Sequence, residues 1–354
     1  IVSLCEGLAS ITLFFQEVSQ TNVLTERRHT QYDELLGWVN IPNIYIEDMY
    51  GANVYLRTNS QSFRNNEDFT VSVPPHKVRI ICSGDSFTFG YSVDNDHTWC
   101  QLLSSKDNRL QTVNMGQGGY GIDQAYLWYK RDGSKLDHDV HLFAFITTDF
   151  KRMQRSDFNG YGKPLLKLQN EALVATNVPV PSRPFYTPWI TQNRQTIDEL
   201  KSVQLLNRLF FEGAEADEAE ADNPSTDEDA SPEVIALKIL EDLIRLNQAK
   251  SSTLVLVYLP GQNFTGADMK HWRQQVHLAS EKHGIIFFDL IDEFKDLSAD
   301  ELAEMFIQEE QAKEYNGSAG HYTIKGNQYV ADVLYEKLLA LPEVSNKLAA
   351  YPKQ

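Results

Sequence analysis

Hydrophobic residues along the chain follow two alternating patterns. Five short runs are almost continuously apolar, which indicates β-strands buried on both faces: 78–83, 111–115, 140–146, 253–259 and 285–290. Between and after these runs, apolar residues recur at helical spacing, and the predicted helices cover 98–105, 122–131, 234–248, 268–283, 298–306 and 323–341. Asp96 and Thr323 are candidate caps for the first and last helix. Strands that alternate with helices predict an α/β domain with a parallel sheet.

The segments outside this pattern define the ends and insertions of the domain. Residues 1–29 open with a 15-residue apolar stretch, "IVSLCEGLASITLFF", which is shorter than the ~20 residues that cross a bilayer. Two interpretations stay open: a helix packed on the domain, or the remnant of a membrane anchor that began upstream. We predict one domain at 30–345, with an irregular lead-in at 30–75, an ordered insertion at 151–200 and a C-terminal tail at 346–354.

Negative charge is concentrated in one segment. The formal net charge is −17, and residues 212–233 hold ten acidic and no basic residues, which leaves −7 for the rest of the chain. The segment has no aromatic or β-branched apolar residue with which to form a core, so it is predicted to be a flexible surface loop. No cluster of Lys and Arg offers a phosphate-binding surface, which argues against a nucleic-acid partner.

Cysteine usage leaves the redox compartment open. The chain has three cysteines, Cys5, Cys82 and Cys100, too few for a disulfide framework. Cys82 lies inside an apolar run, where we interpret it as a small buried hydrophobe.

Polar turns follow three of the predicted strands, at the edge of the sheet where α/β proteins bind ligands. They are Gly84-Asp85-Ser86, the glycine-rich segment 114–121 and Thr147-Thr148-Asp149. His321 lies far downstream, in a loop before the last helix. A hydroxyl, an imidazole and backbone N–H groups are the parts that acyl transfer needs. Asp85 is interpreted as structural, tying the turn to nearby N–H groups.

A cluster of four polar residues precedes and enters the third strand: Asp137, His138, Asp139 and His141. Alternation along a strand would scatter these side chains, so we predict neither a metal site nor a cofactor.

The motifs "GDSFTFG" and "VNMGQGGYG", followed by a late histidine, resemble the SGNH/GDSL hydrolase superfamily. "LGWVNIPN", "FRNNED" and "TVNMGQGGYGIDQAYL" resemble its members with an N-terminal membrane anchor. The resemblance implies a flavodoxin-like three-layer α/β/α sandwich with a central parallel five-stranded sheet. It also implies that Ser86 is the nucleophile and His321 its general base, while the N–H groups of Ser86 and Gly119 form the oxyanion hole.

Two positions depart from the pattern of that family. An asparagine that supplies the third oxyanion donor is replaced by Thr148, whose hydroxyl is shorter and rotates. The aspartate three residues before the histidine is replaced by Ser318, so the imidazole lacks its usual carboxylate partner.

The sequence therefore predicts a serine enzyme that acts on esters, most simply O-acyl groups of a carbohydrate or another polar small molecule. An O-acyltransferase and an inactive domain that binds glycans or serves in assembly stay open as alternatives. We expect a membrane-anchored protein with an extracytoplasmic domain, the alternative being a soluble cytoplasmic one. Nothing in the sequence indicates the oligomeric state.

Overall fold

The structure is a computed structural model that describes residues 28–158, 161–181, 200–202, 205, 230–312 and 316–352. Most of the predicted N-terminal segment 1–29, part of the insertion 151–200 and most of the acidic loop 212–233 lie outside the described residues. No helix within these ranges has the length and apolar character needed to cross a membrane.

A five-stranded sheet forms the centre of the fold, and all of its neighbouring strands pair in parallel. In chain order its members are β5 (Val78–Gly84), β6 (Leu110–Gly116), β7 (Val140–Phe145), β12 (Thr253–Tyr258) and β13 (Ile286–Asp289). Their order across the sheet is β13-β12-β7-β5-β6. This is the flavodoxin-like order, so the predicted fold class is confirmed. All five predicted strands are present.

Helices cover both faces of this sheet. The helices are α1 (Ser86–Phe89), α2 (Trp99–Lys106), α3 (Ile122–Arg131), α4 (Thr147–Arg152), α5 (Pro232–Ala249), α6 (Ala267–His283), α7 (Ile291–Lys295), α8 (Ala299–Met305), α9 (Ile324–Leu339) and α10 (Pro342–Ala350). On one face α2 packs against α9, and on the other α3 packs against α5. The continuous apolar runs are thereby explained, since β5 and β7 are buried at every position.

The cap predicted for the last helix is confirmed, whereas the cap predicted for the first helix is wrong. Thr323 caps α9 as predicted, because its hydroxyl accepts a hydrogen bond from the Gly326 N–H at 3.1 Å. The first long helix is capped by Thr98 rather than by Asp96, which lies in a preceding 3-10 turn. Both residue types are good caps, so the sequence alone could not separate them.

One predicted segment and two predicted boundaries differ from the elements of the structure. The lead-in 30–75 contains two small antiparallel pairs, β1 (Thr30–Asp33) with β2 (Gly37–Asn40) and β3 (Tyr45–Ile46) with β4 (Leu56–Arg57). These strands are too short to show an alternating pattern. The insertion predicted to start at 151 begins inside α4, and the tail predicted from 346 begins inside α10. The described insertion forms two hairpins, β8 (Asp157–Phe158) with β9 (Tyr161–Gly162) and β10 (Leu165–Gln169) with β11 (Ala172–Thr176).

Cys82 and Cys100 form a disulfide that joins β5 to α2, with their Cα atoms 6.2 Å apart. The interpretation of Cys82 as merely a small hydrophobe was therefore wrong, although both residues are buried. The pairing depends on the packing of α2 beside β5, which no local pattern reveals. Cys5 lies outside the described residues.

Candidate active site

Ser86 stands where β5 ends and α1 begins. Asp85 caps α1, because its carboxylate accepts a hydrogen bond from the Phe87 N–H at 2.9 Å. The structural role predicted for Asp85 is confirmed. Gly84 allows β5 to approach β7 closely, since a Cβ at this position would lie 2.6 Å from the Ala144 carbonyl oxygen. The turn therefore places Ser86 beside the carboxyl end of β7, where the strand order reverses and α/β sheets bind ligands.

His321 reaches Ser86 from the loop before α9. Its Nε2 lies 2.7 Å from the Ser86 Oγ, within hydrogen-bond distance. The backbone of His321 is held by Ile307, whose N–H donates to the His321 carbonyl at 2.8 Å. The imidazole stacks on Phe87, with ring centroids 4.6 Å apart, and also contacts Tyr91 at 5.0 Å. The predicted pair is thus assembled and its imidazole held between aromatic rings.

The surroundings of His321 keep its imidazole neutral. Burial, followed by the positive charge of Arg152, lowers the pKa of His321 to about 4. Hydrogen bonding to the carbonyls of Ser318 and Ala319 raises its pKa in opposition. Nε2 is the ring nitrogen that faces Ser86, so the neutral tautomer with its proton on Nδ1 can accept the Ser86 proton. Nδ1 has no well-aligned hydrogen-bond partner within the described ranges, so these carbonyls orient the ring only weakly.

Gly119 lies in the turn after β6, with a φ of +73°. A Cβ at this position would meet the Phe158 ring at 2.4 Å, so glycine is required both for the backbone angle and for the close approach. The same turn is fixed to β5, because the Gln117 N–H donates to the Gly84 carbonyl at 3.1 Å. Neither the Ser86 nor the Gly119 N–H has an acceptor among the described residues. Both groups remain available for an oxyanion.

Thr148 and Ser318 occupy the two positions where the sequence departs from the family pattern. Thr148 is the second residue of α4, half-buried, and its hydroxyl makes no hydrogen bond within the part of the chain that the structure describes. Its role as a third oxyanion donor stays a prediction. Ser318 is buried in the turn before His321, and its carbonyl accepts the His321 N–H at 3.0 Å. Its hydroxyl does not bond His321 Nδ1, and its role in orienting the imidazole stays a prediction.

A buried charge cluster beneath Ser86 was missed by the sequence analysis. Arg152 Nη1 donates to Asp149 at 2.9 Å and to Asp85 at 3.4 Å, and it also reaches the Tyr120 carbonyl at 3.4 Å. Arg152 therefore ties together the turns that follow β5, β6 and β7. Burial and the neighbouring Asp85 charge raise the pKa of Asp149 well above its usual range. The spacing of Asp149 and Arg152, three residues apart on one helix face, was the available signal.

A second buried ion pair supports this cluster. Lys163 Nζ donates to Asp123 at 2.7 Å and to the Arg152 carbonyl at 2.7 Å, and neither side chain is exposed. The contact fixes the last turn of α4, from which the Arg152 side chain projects. No sequence pattern linked these residues, because they come from α3 and from the insertion.

The four-residue cluster at the start of β7 is divided among separate contacts. His141 Nε2 lies 2.6 Å from the Ser83 Oγ inside the sheet, whereas His138 contacts the Leu136 carbonyl and the Tyr129 hydroxyl. Asp139 accepts from the Arg79 N–H and from Lys347, and Asp137 from Lys250. The predicted scattering is seen for the two aspartates, whereas His138 and His141 both contact Asn247, at 3.3 Å and 3.1 Å.

No family model and no curated protein matches the chain. Among solved structures, it is similar to a lipase/acylhydrolase from Enterococcus faecalis, at 10% identity and a TM-score of 0.42, covering 78% of this chain and 98% of that one. A member of the lipolytic protein G-D-S-L family from Veillonella parvula has 12% identity and a TM-score of 0.41, covering 75% and 100%. A psychrotrophic esterase, EstA from Pseudoalteromonas sp., has 12% identity and a TM-score of 0.39, covering 73% and 94%.

Proposed function

We propose that this protein is a serine enzyme of the SGNH/GDSL type that cleaves esters through a Ser86–His321 pair. The observation that carries the proposal is the 2.7 Å approach of His321 Nε2 to Ser86 Oγ at the carboxyl end of a parallel sheet. Two uncommitted N–H groups, of Ser86 and Gly119, lie in the adjoining turns. Nucleophile, base and oxyanion donors are the minimum set for acyl transfer.

The proposed reaction has two steps. Ser86 Oγ attacks the ester carbon while its proton passes to His321 Nε2, and the resulting oxyanion is stabilised by the two N–H groups. The bond to the leaving oxygen then breaks, and His321 returns the proton to that oxygen. In the second step an incoming hydroxyl loses its proton to His321 and attacks the carbonyl carbon of the acyl-Ser86 ester. The bond to Ser86 Oγ then breaks, and His321 gives the proton to Oγ, which restores both residues.

Among the residues that the structure describes, no carboxylate bonds the outer nitrogen of the imidazolium formed in each step. Replacement of such a carboxylate lowers turnover by about 10⁴-fold in a serine protease, so we expect an intrinsically slow chemical step. A low pKa also makes His321 a weak base. The same feature keeps it in its basic form down to about pH 4.

The substrate class is proposed as an O-acyl group on a carbohydrate or another polar carrier. The half-buried Phe158 ring lies against Gly119 and beneath the Arg152 guanidinium, whose carbon is 5.2 Å from the ring centroid. Because Arg152 covers this ring and Trp38 stacks with it at 6.1 Å, the ring is not open to a sugar, and the proposed substrate class rests on the sequence resemblance.

An O-acyltransferase is the second candidate. Ser86 is only 2% exposed, and restricted access of water favours transfer of the acyl group to another hydroxyl over hydrolysis. Incubation with p-nitrophenyl acetate and an oligosaccharide would separate the two activities. Acetylated oligosaccharide indicates transfer, and free acetate alone indicates hydrolysis.

Labelling with a fluorophosphonate probe tests the proposed nucleophile. We expect labelling of the native chain and none of Ser86→Ala, together with loss of p-nitrophenyl acetate cleavage. Ser83→Ala is the matched control, because Ser83 also lies against a histidine but inside the sheet, and it should be labelled normally. A native chain that neither reacts with the probe nor cleaves the ester would support the inactive alternative.

The localisation is proposed to be extracytoplasmic, which the Cys82–Cys100 disulfide supports because such bonds persist mainly in oxidising compartments. Thiol titration of the denatured protein from its native compartment should find one free cysteine, Cys5. Three free thiols would contradict the proposal. Membrane anchoring remains a proposal from the sequence resemblance alone.

A further inference from the structure

A polar cleft of about 530 Å³ lies on the lead-in segment, apart from Ser86. Its volume falls in the range of small-molecule sites. We refer to it as the Tyr45 cleft, and its lining includes Asn43, Tyr45, Arg57, Asn59, Asn66 and Asp68. Nothing in the proposed reaction uses these residues.

An aromatic ring and a guanidinium stand side by side in this cleft. Tyr45 on β3 pairs directly with Arg57 on β4, so their side chains project from the same face of the strand pair. Tyr45 is 61% exposed, which is unusual for so large an apolar ring, and its ring centroid lies 5.7 Å from that of Tyr55. The pair offers a flat apolar surface flanked by hydrogen-bond donors.

Three planar polar groups in the cleft have no partner within the protein, as far as the described residues extend. They are the amide of Asn43, the guanidinium of Arg57 and the second carboxylate oxygen of Asp68. All three residues are exposed, so each group can bind a ligand without breaking an internal bond. Together they supply both donors and acceptors.

The floor of the cleft is rigid because its side chains are committed to internal bonds. Asn59 accepts from the Gln61 and Phe63 N–H groups and donates to the Glu67 carbonyl. Asn66 donates to the Tyr55 hydroxyl at 3.0 Å and accepts from Asn95 at 3.0 Å. A rigid floor lowers the entropy cost of binding.

This combination of groups fits a sugar ring. A pyranose has an apolar face that stacks on a tyrosine and a rim of hydroxyls that both donate and accept hydrogen bonds. A purely apolar ligand would leave the arginine and carboxylate unpaired. A phosphate would meet one arginine next to the negative charge of Asp68. We propose that the Tyr45 cleft binds a saccharide unit.

A series of hydrogen bonds connects the cleft to the helix that begins with Ser86. The Arg57 N–H donates to Asn95 Oδ1 at 3.1 Å, and the same oxygen accepts from Arg64 Nε at 3.0 Å. The buried Arg64 guanidinium then donates to the Phe89 carbonyl at 2.8 Å, at the end of the helix that begins with Ser86. A saccharide held in the cleft is therefore fixed relative to the reacting serine. That the cleft is a remote subsite for the acylated carrier rests on the proposed function, whereas saccharide binding itself does not.

Calorimetric titration of the whole chain with three hexasaccharides tests the binding. The probes are cellohexaose, chitohexaose and the anionic hexagalacturonate, which separate neutral from acidic ligands. We expect a Kd below about 1 mM for at least one of them. Tyr45→Ala and Arg57→Ala should each raise that Kd at least about tenfold, while Tyr45→Phe, which keeps the ring, should not.

Leu278→Ala is the matched control, since Leu278 is 51% exposed on α6. The affinity of the Leu278→Ala variant for the hexasaccharide should equal that of the native chain. Circular dichroism checks that every variant is folded. Failure of all three probes to bind, or binding that Tyr45→Ala leaves unchanged, would overturn the proposal.

Kinetics separate the cleft from the catalytic site. Tyr45→Ala should cleave p-nitrophenyl acetate like the native chain, but its KM for the O-acetylated form of the bound hexasaccharide should rise about tenfold with kcat unchanged. An unchanged KM despite lost binding would overturn the subsite assignment. A native chain inert towards p-nitrophenyl acetate that still binds the hexasaccharide would refute the proposed reaction and leave the saccharide site standing.

Discussion

Two serine–histidine pairs, one at the edge of the central sheet and one inside it, have similar distances but differ in their surroundings. Ser86 Oγ is 2.7 Å from His321 Nε2, and Ser83 Oγ is 2.6 Å from His141 Nε2. Burial lowers the pKa of both histidines. Ser83 lies within β5, where its backbone belongs to the ladder. Ser86 lies beyond the strand end, and its N–H has no acceptor among the described residues.

The two imidazoles also need their protons on opposite nitrogens for the roles assigned to them. Asn247 Nδ2, which also donates to the Leu243 carbonyl, lies 3.1 Å from His141 Nδ1 and donates to it, so the His141 proton is on Nε2 and points at Ser83. For His321, the proposed role as base requires its proton on Nδ1, so that Nε2 accepts from Ser86. A short Ser–His distance is therefore not evidence of a nucleophile. What distinguishes a candidate nucleophile is the tautomer of its histidine and its position beyond the strand end.

The largest expected effect comes from replacing each histidine. His321→Gln removes the base, so turnover of p-nitrophenyl acetate should fall at least about 10³-fold while the fold remains intact. His141→Gln should leave turnover per folded molecule unchanged and lower the free energy of unfolding by about 1–3 kcal/mol, because Ser83 and Asn247 lose a buried partner. Kinetics and urea denaturation measure the two effects. Loss of turnover in folded His141→Gln would contradict the comparison.

Arg152 sharpens the comparison because its charge acts on His321. Arg152→Met leaves Asp85 and Asp149 unpaired and should lower the free energy of unfolding by about 3–5 kcal/mol. In the native chain His321 should lose its proton near pH 4, so kcat/KM should fall only below that pH. Removal of the positive charge raises the pKa of His321, and the acidic limb of the pH profile should move to higher pH.

Arg152→Lys is the control for this experiment, since it keeps the charge but not the planar fork. Its acidic limb should stay close to that of the native chain. The same pKa predicts that the native fold gains stability as pH rises from about 4 to 6.5, because the unfolded chain binds the histidine proton more readily in that window. A pH profile that Arg152→Met does not move would show that burial alone sets the pKa.

The fold was largely predictable because its sheet is buried on both faces. Continuous apolar runs located all five strands, and their alternation with helices indicated the parallel sheet. The short strands β3 and β4 were missed because two residues carry no period. The Cys82–Cys100 disulfide was missed because it depends on how α2 packs on the sheet rather than on spacing.

The residues of the candidate site that lie in turns after strands were predictable from the sequence. Ser86 and Gly119 stand in turns that the sequence marks with glycine, and His321 was located by its place before α9. Arg152 and Lys163 were not identified, because a buried charge looks like a solvated one until its partners are known. The Tyr45 cleft was also missed, since it is assembled from two-residue strands.

The smallest expected effect concerns the outer nitrogen of His321. Ser318 is buried three residues before the histidine, and Nδ1 lacks a well-aligned partner among the described residues. Ser318→Asp would place a carboxylate beside Nδ1, which stabilises the imidazolium that forms as Ser86 gives up its proton. Because this charge exists only after proton transfer has begun, the gain should appear in kcat rather than in KM. We expect kcat to rise about tenfold, equivalent to ~1.4 kcal/mol of barrier.

The same substitution should move the acidic limb of the pH profile upwards, because a neighbouring carboxylate raises the pKa of His321. Ser318→Ala is the control and should leave both kcat and the limb unchanged, since the Ser318 carbonyl rather than its hydroxyl bonds the histidine backbone. If Ser318→Asp raises the pKa of His321 without raising kcat, the carbonyls of Ser318 and Ala319 already orient the ring sufficiently. If neither quantity changes, the new carboxylate does not reach Nδ1, and the orienting role inferred for position 318 is wrong.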